Sequence, residues 1–75
     1  MKKQTIKEKI RIIKTAIEDG VAIILGSYYS VKSQTVGDRN VLPLKIKGDS
    51  VLCFDLDKSG GWQTFRFDRI QGNAG

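Results

Sequence analysis

Apolar residues fall at Ile6, Ile10, Ile13 and Ile17, at steps of four, three and four. That is the period of one face of an α-helix, where residues three and four apart lie one above the other. The flanks agree. Thr5-Ile6-Lys7-Glu8 has the form of a capping box, in which the threonine hydroxyl takes an orphan N–H and the glutamate reaches back to the cap. Gly20 tolerates the left-handed conformation that ends many helices. The spacing predicts a helix over 5–19.

Beyond Gly20 the period changes. Val21 to Tyr29 is β-branched, aliphatic and aromatic, broken by Gly26, and reads as a strand over about 21–29. A polar loop over 30–38 follows. Residues 39–47 alternate in part, with Val41, Leu42, Leu44 and Ile46 apolar. Pro43 has no N–H for a central ladder and points to an edge or a bulge. Lys47-Gly48-Asp49-Ser50 reads as a tight turn into a strand over 50–56, so that 39–56 forms a hairpin. A second turn, Asp57-Lys58-Ser59-Gly60-Gly61, leads to a strand over 62–67. The tail Gln71-Gly72-Asn73-Ala74-Gly75 has no anchor of its own and is expected to fray. The pattern predicts one domain over 1–75, mainly β with one N-terminal helix. Its short strands suit a small antiparallel barrel or curled sheet, capped by the isoleucine stripe.

Composition narrows the function. Apolar residues make up 40% of the chain and charged residues 28%, a globular balance rather than a disordered one. No apolar run approaches the ~20 residues that cross a bilayer, and Met1-Lys2-Lys3-Gln4 does not open a signal peptide. A single cysteine, Cys53, makes no internal disulfide, so a cytoplasmic location is expected. Thirteen Lys and Arg against eight Asp and Glu leave a net charge of +5. That excess favours polyanions, or simply keeps a small domain soluble. Lys7, Arg11 and Lys14 share a helix face, either solvated or lined up with a polyanion.

Catalytic chemistry is poorly supplied. The chain has no histidine, the commonest general base and neutral metal ligand. Cys53 lies in an expected core strand, where a thiol acts as a small hydrophobe. A zinc site needs four ligands of Cys or His type. Asp55 and Asp57 share the spacing of one strand face and suit turn-flanking roles better than a hard-cation site. Gly60-Gly61 lacks the lysine and helix of a phosphate loop. The expectation is a non-enzymatic protein with no cofactor and no metal.

Binding chemistry is better supplied. In Trp62-Gln63-Thr64-Phe65-Arg66-Phe67-Asp68-Arg69-Ile70 aromatics alternate with arginines. On a strand, Phe65 and Phe67 share one face and Trp62, Thr64 and Arg66 the other. An arginine fork matches phosphate with two parallel hydrogen bonds, and a tryptophan or tyrosine beside it can stack a base. Alternatively Arg66 pairs with Asp68 or Asp55 and Trp62 only shields the sheet.

Phe65-Arg66-Phe67-Asp68-Arg69-Ile70 resembles the C-terminal signature of the WYL family, an aromatic-arginine pair followed by an Asp-Arg-Ile turn. The likeness extends upstream in order. Ala16-Ile17 is similar to the family's helix end, Tyr28-Tyr29-Ser30 to its tyrosine-bearing first strand, and Arg39-Asn40-Val41-Leu42-Pro43-Leu44 to its arginine-to-proline-leucine strand. The resemblance runs from about Thr15 to Ile70. Two positions depart from it. Ser50-Val51-Leu52 stands where the family has Trp-Tyr-Leu, and Gln63 replaces an arginine, which removes a charge from the expected pocket.

The resemblance implies a small Sm-like, SH3-type antiparallel barrel capped by the helix. It also implies a ligand-sensing module of bacterial transcription regulators or an accessory domain of DNA-processing proteins. Its expected ligand is single-stranded DNA or RNA, or a nucleotide-like phosphate compound. The residues it points to are Tyr28 or Tyr29, Ser30, Arg39, Arg66 and Arg69, with Trp62 and Gln63 beside them; Arg69 can instead brace the last turn through Asp68. No membrane partner is expected. The alternative function is a protein-interaction or self-association module.

Overall fold

In the computed structural model, residues 4–57 and 61–75 are described. Lys2 and Lys3, and the middle of the turn expected over 57–61, lie outside them. Helix α1, Ile6–Asp19, begins with the full capping box: the Thr5 hydroxyl accepts from Glu8 N–H and Glu8 accepts from Thr5 N–H. Gly20, at φ 66°, ends it in the left-handed region. The buried stripe is Lys9, Ile13 and Ala16, flanked by Ile10, Ile12 and Ile17. Ile6, the first residue of the expected stripe, is exposed. In its place the stem of Lys9 is buried, and its ammonium donates to the Ile70 carbonyl at 2.6 Å.

Four strands follow: β1 Ile23–Ser30, β2 Thr35–Lys47, β3 Ser50–Asp55 and β4 Gly61–Arg66. They form one antiparallel sheet in the order β1-β2-β3-β4, and a 3₁₀ turn, Phe67–Arg69, leaves its last strand. The architecture is therefore mainly β with one N-terminal helix. Strand pairing does not close the sheet into a barrel. One core cluster fills its inner side: Ile13 and Ala16 from the helix, Leu25, Val41, Val51, Cys53 and Phe65 from the strands, and Phe67 and Ile70 beyond them.

Two bulges decide which side chains enter that core. Between Leu25 and Tyr28 the β1–β2 register shifts, with Ser27 at φ 48° and its N–H donating to the Asp38 carboxylate. Unbroken alternation from Ile23 would turn Tyr29 inward; the extra residue turns Tyr28 inward instead. The second shift, between Pro43 and Lys45, places Pro43 at a bulge. Residues of β2 beyond Val41 have no partner in β1.

Three sequence expectations need correction. The loop expected over 30–38 is a short turn, since β2 already pairs from Thr35 opposite Ser30. The positions of that stretch with the parity of Tyr28 are Thr35 and Gly37, so it lacks the apolar alternation by which a strand is read. Phe67 belongs to the 3₁₀ turn rather than to the last strand. The tail does not fray: Gly72 N–H donates to Gly26 O, Gly26 N–H to Asn73 O, and Ile24 and Gly75 exchange both bonds. Gln4 holds it from the other side through Ala74 and Asn73. The backbones approach so closely that a Cβ on Gly26 would sit 2.8 Å from Asn73 O.

Candidate ligand groove

The sheet curls until the end of β1 faces β4. Tyr28 makes the contact: its ring meets Phe65 edge-on with centroids 5.0 Å apart, and its hydroxyl accepts the Arg66 backbone N–H. Beside this contact runs an open groove of about 730 Å³. One wall is β1 and its turn, with Tyr28, Ser30, Val31, Lys32 and Ser33; the other is Gln63, Thr64 and Phe65 of β4. Arg39 enters from β2 and Arg69 from the 3₁₀ turn.

Strand parity explains the membership. Cys53 pairs with Gln63, and Val51 with Phe65, so Gln63 looks to the core side of the sheet. Arg39 has the parity of Val41, which is fully buried. The backbone of β4 contributes as well. Hydrogen-bond direction alternates along an antiparallel strand, and Arg66 N–H points away from β3 to Tyr28. Trp62 and Thr64 therefore turn their N–H and C=O groups the same way, to the unpaired edge of β4.

The electrostatics are one-sided. Arg39, Arg69 and Lys32 line the groove, and among the described residues no carboxylate does. Behind Arg39 stands Asp55, fully buried, whose Oδ2 lies 3.9 Å from Arg39 Nη1. Its Oδ1 accepts the Asp57 N–H, while Oδ2 has no hydrogen bond among the described residues. No cluster of metal-ligating side chains occurs among the described residues.

A search of protein families, curated proteins and solved structures finds no match to this chain. The groove must therefore be read on its own chemistry. Of the residues singled out from the sequence, it gathers Tyr28, Ser30, Arg39, Gln63 and Arg69.

Tyr29, Trp62 and Arg66 fall outside it. Tyr29 is turned to the other face by the bulge, opposite Val36. Trp62 and Arg66 stand on the outer face by their parity in β4. Arg66 is held there by a two-pronged contact with Asp68, both bonds 3.1 Å, with Asp49 at 3.7 Å. That bond with Asp68 raises the arginine's pKa and lowers the aspartate's. Arg66 thus braces the last turn through Asp68, the alternative to phosphate contact that the sequence had offered for it.

Lys32 was missed as a groove residue, and Asp55 was weighed as a turn-flanking group or a partner for Arg66, not as the partner of Arg39. Lys32 was hidden in a stretch read as loop. Asp55 was legible in principle, because it continues the inward run of Val51 and Cys53. Cys53 itself is fully buried, and burial, aided by the Asp55 charge, pushes its thiol up to about 12. The basic helix residues Lys7, Arg11 and Lys14 line a separate hollow with Glu8 among them.

Proposed function

We propose that this chain is a non-catalytic ligand-sensing module that binds single-stranded nucleic acid, or a nucleotide-like phosphate ligand, in the groove between β1 and β4. The carrying observation is the convergence of Arg39, Arg69 and Lys32 on a groove that no carboxylate among the described residues lines. Guanidinium forks and an ammonium match phosphate oxygens. Ser30, Ser33, Gln63 and the free edge of β4 add neutral donors and acceptors suited to sugar and base edges. The groove is open rather than enclosed, which suits a strand better than a small apolar molecule.

The same reading takes the fold as a WYL-type, Sm-like barrel. In its favour, the tail continues the sheet past β1 and Tyr28 draws β1 against β4. A role in transcription regulation, or as an accessory domain of a DNA-processing protein, follows from that family resemblance, as does a cytoplasmic location. No helix among the described residues is long and apolar enough to cross a membrane.

The test is fluorescence anisotropy of labelled single-stranded DNA and RNA at two salt concentrations. Three phosphate contacts predict a slope of log K against log salt of about −2. Arg69→Ala and Lys32→Ala should each weaken binding, while Arg66→Ala, whose charge is spent on Asp68, should leave it near wild type. Absence of binding at low salt, or equal sensitivity to Arg66 and Arg69, would overturn the assignment. A second reading, a protein-interaction module, draws on a different surface, where Trp62 is 62% exposed.

A further inference from the structure

We infer that the outer face of the sheet is a self-association surface on which two copies of this chain meet about a two-fold axis. The face is distinct from the groove. By register, Leu42 of β2, Phe54 of β3 and Trp62 of β4 stand opposite one another on it, and Leu52 opens the next row beside Thr64. Trp62 is 62% exposed and Leu56, just past β3, 49%; Leu42, Leu52 and Phe54 are half-buried. Strands lie ~4.8 Å apart and same-face residues ~7 Å apart, so these side chains make one continuous apolar centre. Scattered surface leucines need no explanation, but a cluster around an exposed tryptophan is what interfaces are built on.

The charges around that centre choose the occupant. Along the outer face β2 reads Asp38, Asn40, Leu42, Lys45, Lys47: acidic at one end, apolar in the middle, basic at the other. Asp57 reinforces the acidic end, bonded there to Asn40. Neither Lys45 nor Lys47 forms an ion pair among the described residues. A two-fold axis through the Leu42–Phe54–Trp62 row lays the lysines of one copy over the aspartates of the other, an isologous arrangement that satisfies both ends at once. A nucleic acid fits this face less well. Phe54 meets Trp62 edge-on, at 83°, so the two rings offer no common stacking plane, leucines supply no π-face, and the acidic end repels phosphate.

An apolar centre this small lies at the low end of specific interfaces. The expected dimer is weak, with Kd on the order of 10⁻⁵ to 10⁻³ M.

Trp62 is the chain's single tryptophan, so its emission reports directly on whether this face is covered. A dilution series from about 1 mM downwards would be followed by Trp emission and by sedimentation equilibrium. The expected result is a red shift of emission on dilution whose midpoint coincides with the fall in mass. Trp62→Ala should weaken association at least tenfold by sedimentation while leaving the circular dichroism unchanged, since its side chain is mostly in solvent. Lys45→Glu with Lys47→Glu should also weaken it. A monomer at about 1 mM with unchanged emission would overturn the proposal. So would association indifferent to these substitutions, or a Trp62 shift that appears only when single-stranded DNA is added.

Discussion

Arg39 Nη1 stands 3.9 Å from Asp55 Oδ2, and the aspartate is fully buried while the arginine side chain is 18% exposed. The separation is too long for a hydrogen bond, so the pair is held by charge alone. Arg39 therefore faces two ways, balancing a buried carboxylate behind it and lining the groove in front. Losing it leaves that carboxylate unbalanced. Removing one partner of a buried pair typically costs 3–5 kcal/mol. With Arg39 partly solvated and the contact long, Arg39→Met should cost about 1–3 kcal/mol in urea unfolding. Adding Asp55→Asn should recover part of that loss. Strictly additive effects would mean that the two charges do not interact.

Asp55→Asn has a second consequence, for ligand. It removes the buried carboxylate that faces Arg39, so Arg39 presents more of its charge to an anion. Phosphate-ligand affinity at low salt should rise several-fold, with the gain shrinking as salt is added, because screening weakens the field of both charges. Anisotropy titrations of the wild type and the variant at matched salt would measure it. Weaker binding would mean that Asp55 serves to orient Arg39 rather than to restrain it.

Much of the fold was legible because local signals and tertiary demands agree. Thr5, Glu8 and Gly20 place the helix within a residue of its limits, and β-rich runs bounded by Gly and Asp mark the strands. What was hidden at the end of β1 has one cause, the register shift at Gly26–Ser27. Tyr28 and Tyr29 cannot be told apart by alternation when an unannounced residue interrupts it. The tail's anchor is invisible for a different reason, since most of its bonds are backbone to backbone and any sequence with glycines at 26 and 72 could make them. In the groove, Arg39, Gln63 and Arg69 were found through motif resemblance. Arg66 and Trp62 lie outside the groove, on the face that strand parity assigns them, with Arg66 in the pairing with Asp68 that the sequence offered as its alternative.

Three exposed carboxylates should contribute to the acid limit of stability. Glu8 is held below its ordinary value by the bond from Thr5 N–H and then by the Thr5 side chain. The Asn40 backbone N–H, then its amide, lowers Asp57, and the Arg66 guanidinium lowers Asp68. Each gives up its charge at a lower pH folded than unfolded, so the unfolded chain binds more protons between the two values. Their stabilisation is complete above the ordinary carboxylate values near pH ~4. It is lost as pH falls below that range through the lowered folded values. Urea midpoints should be flat from about pH 7 to 5 and then fall, and Asp57→Asn should make the fall shallower. An unchanged acid limb in that variant would show that the Asn40 bond contributes nothing.

Cys53 supplies a limit at the opposite end. Its thiol is raised from 9.0 to about 12, so the folded chain keeps a proton that the unfolded chain releases. The associated stability is complete below pH 9.0 and declines as pH rises toward about 12. At neutral pH the buried thiol should react with a disulfide reagent only through opening. Labelling should therefore speed up with urea in step with the unfolded population. Stoichiometric reaction within seconds in native buffer would contradict the burial.

The tail offers the sharpest structural prediction, because a single methyl should dislodge it. A Cβ on Gly72 would lie 2.9 Å from both the carbonyl carbon and oxygen of Gly26, and one on Gly26 would lie 2.8 Å from Asn73 O. These are backbone atoms and cannot rotate aside, so the strands must separate and break the bonds at Gly26, Gly72 and Gln71. Ala74, now buried, would be freed with them. Overpacking of this kind costs about 1–3 kcal/mol. Gly72→Ala and Gly26→Ala should each lose about that much, and combining them should add little, since one separation relieves both clashes. Hydrogen exchange gives the local readout: the amides of Ile24, Gly26 and Gly72 should lose protection in either variant, while those of β3 keep it. Protection unchanged at Ile24 would show that the tail does not hold the edge of β1 in solution.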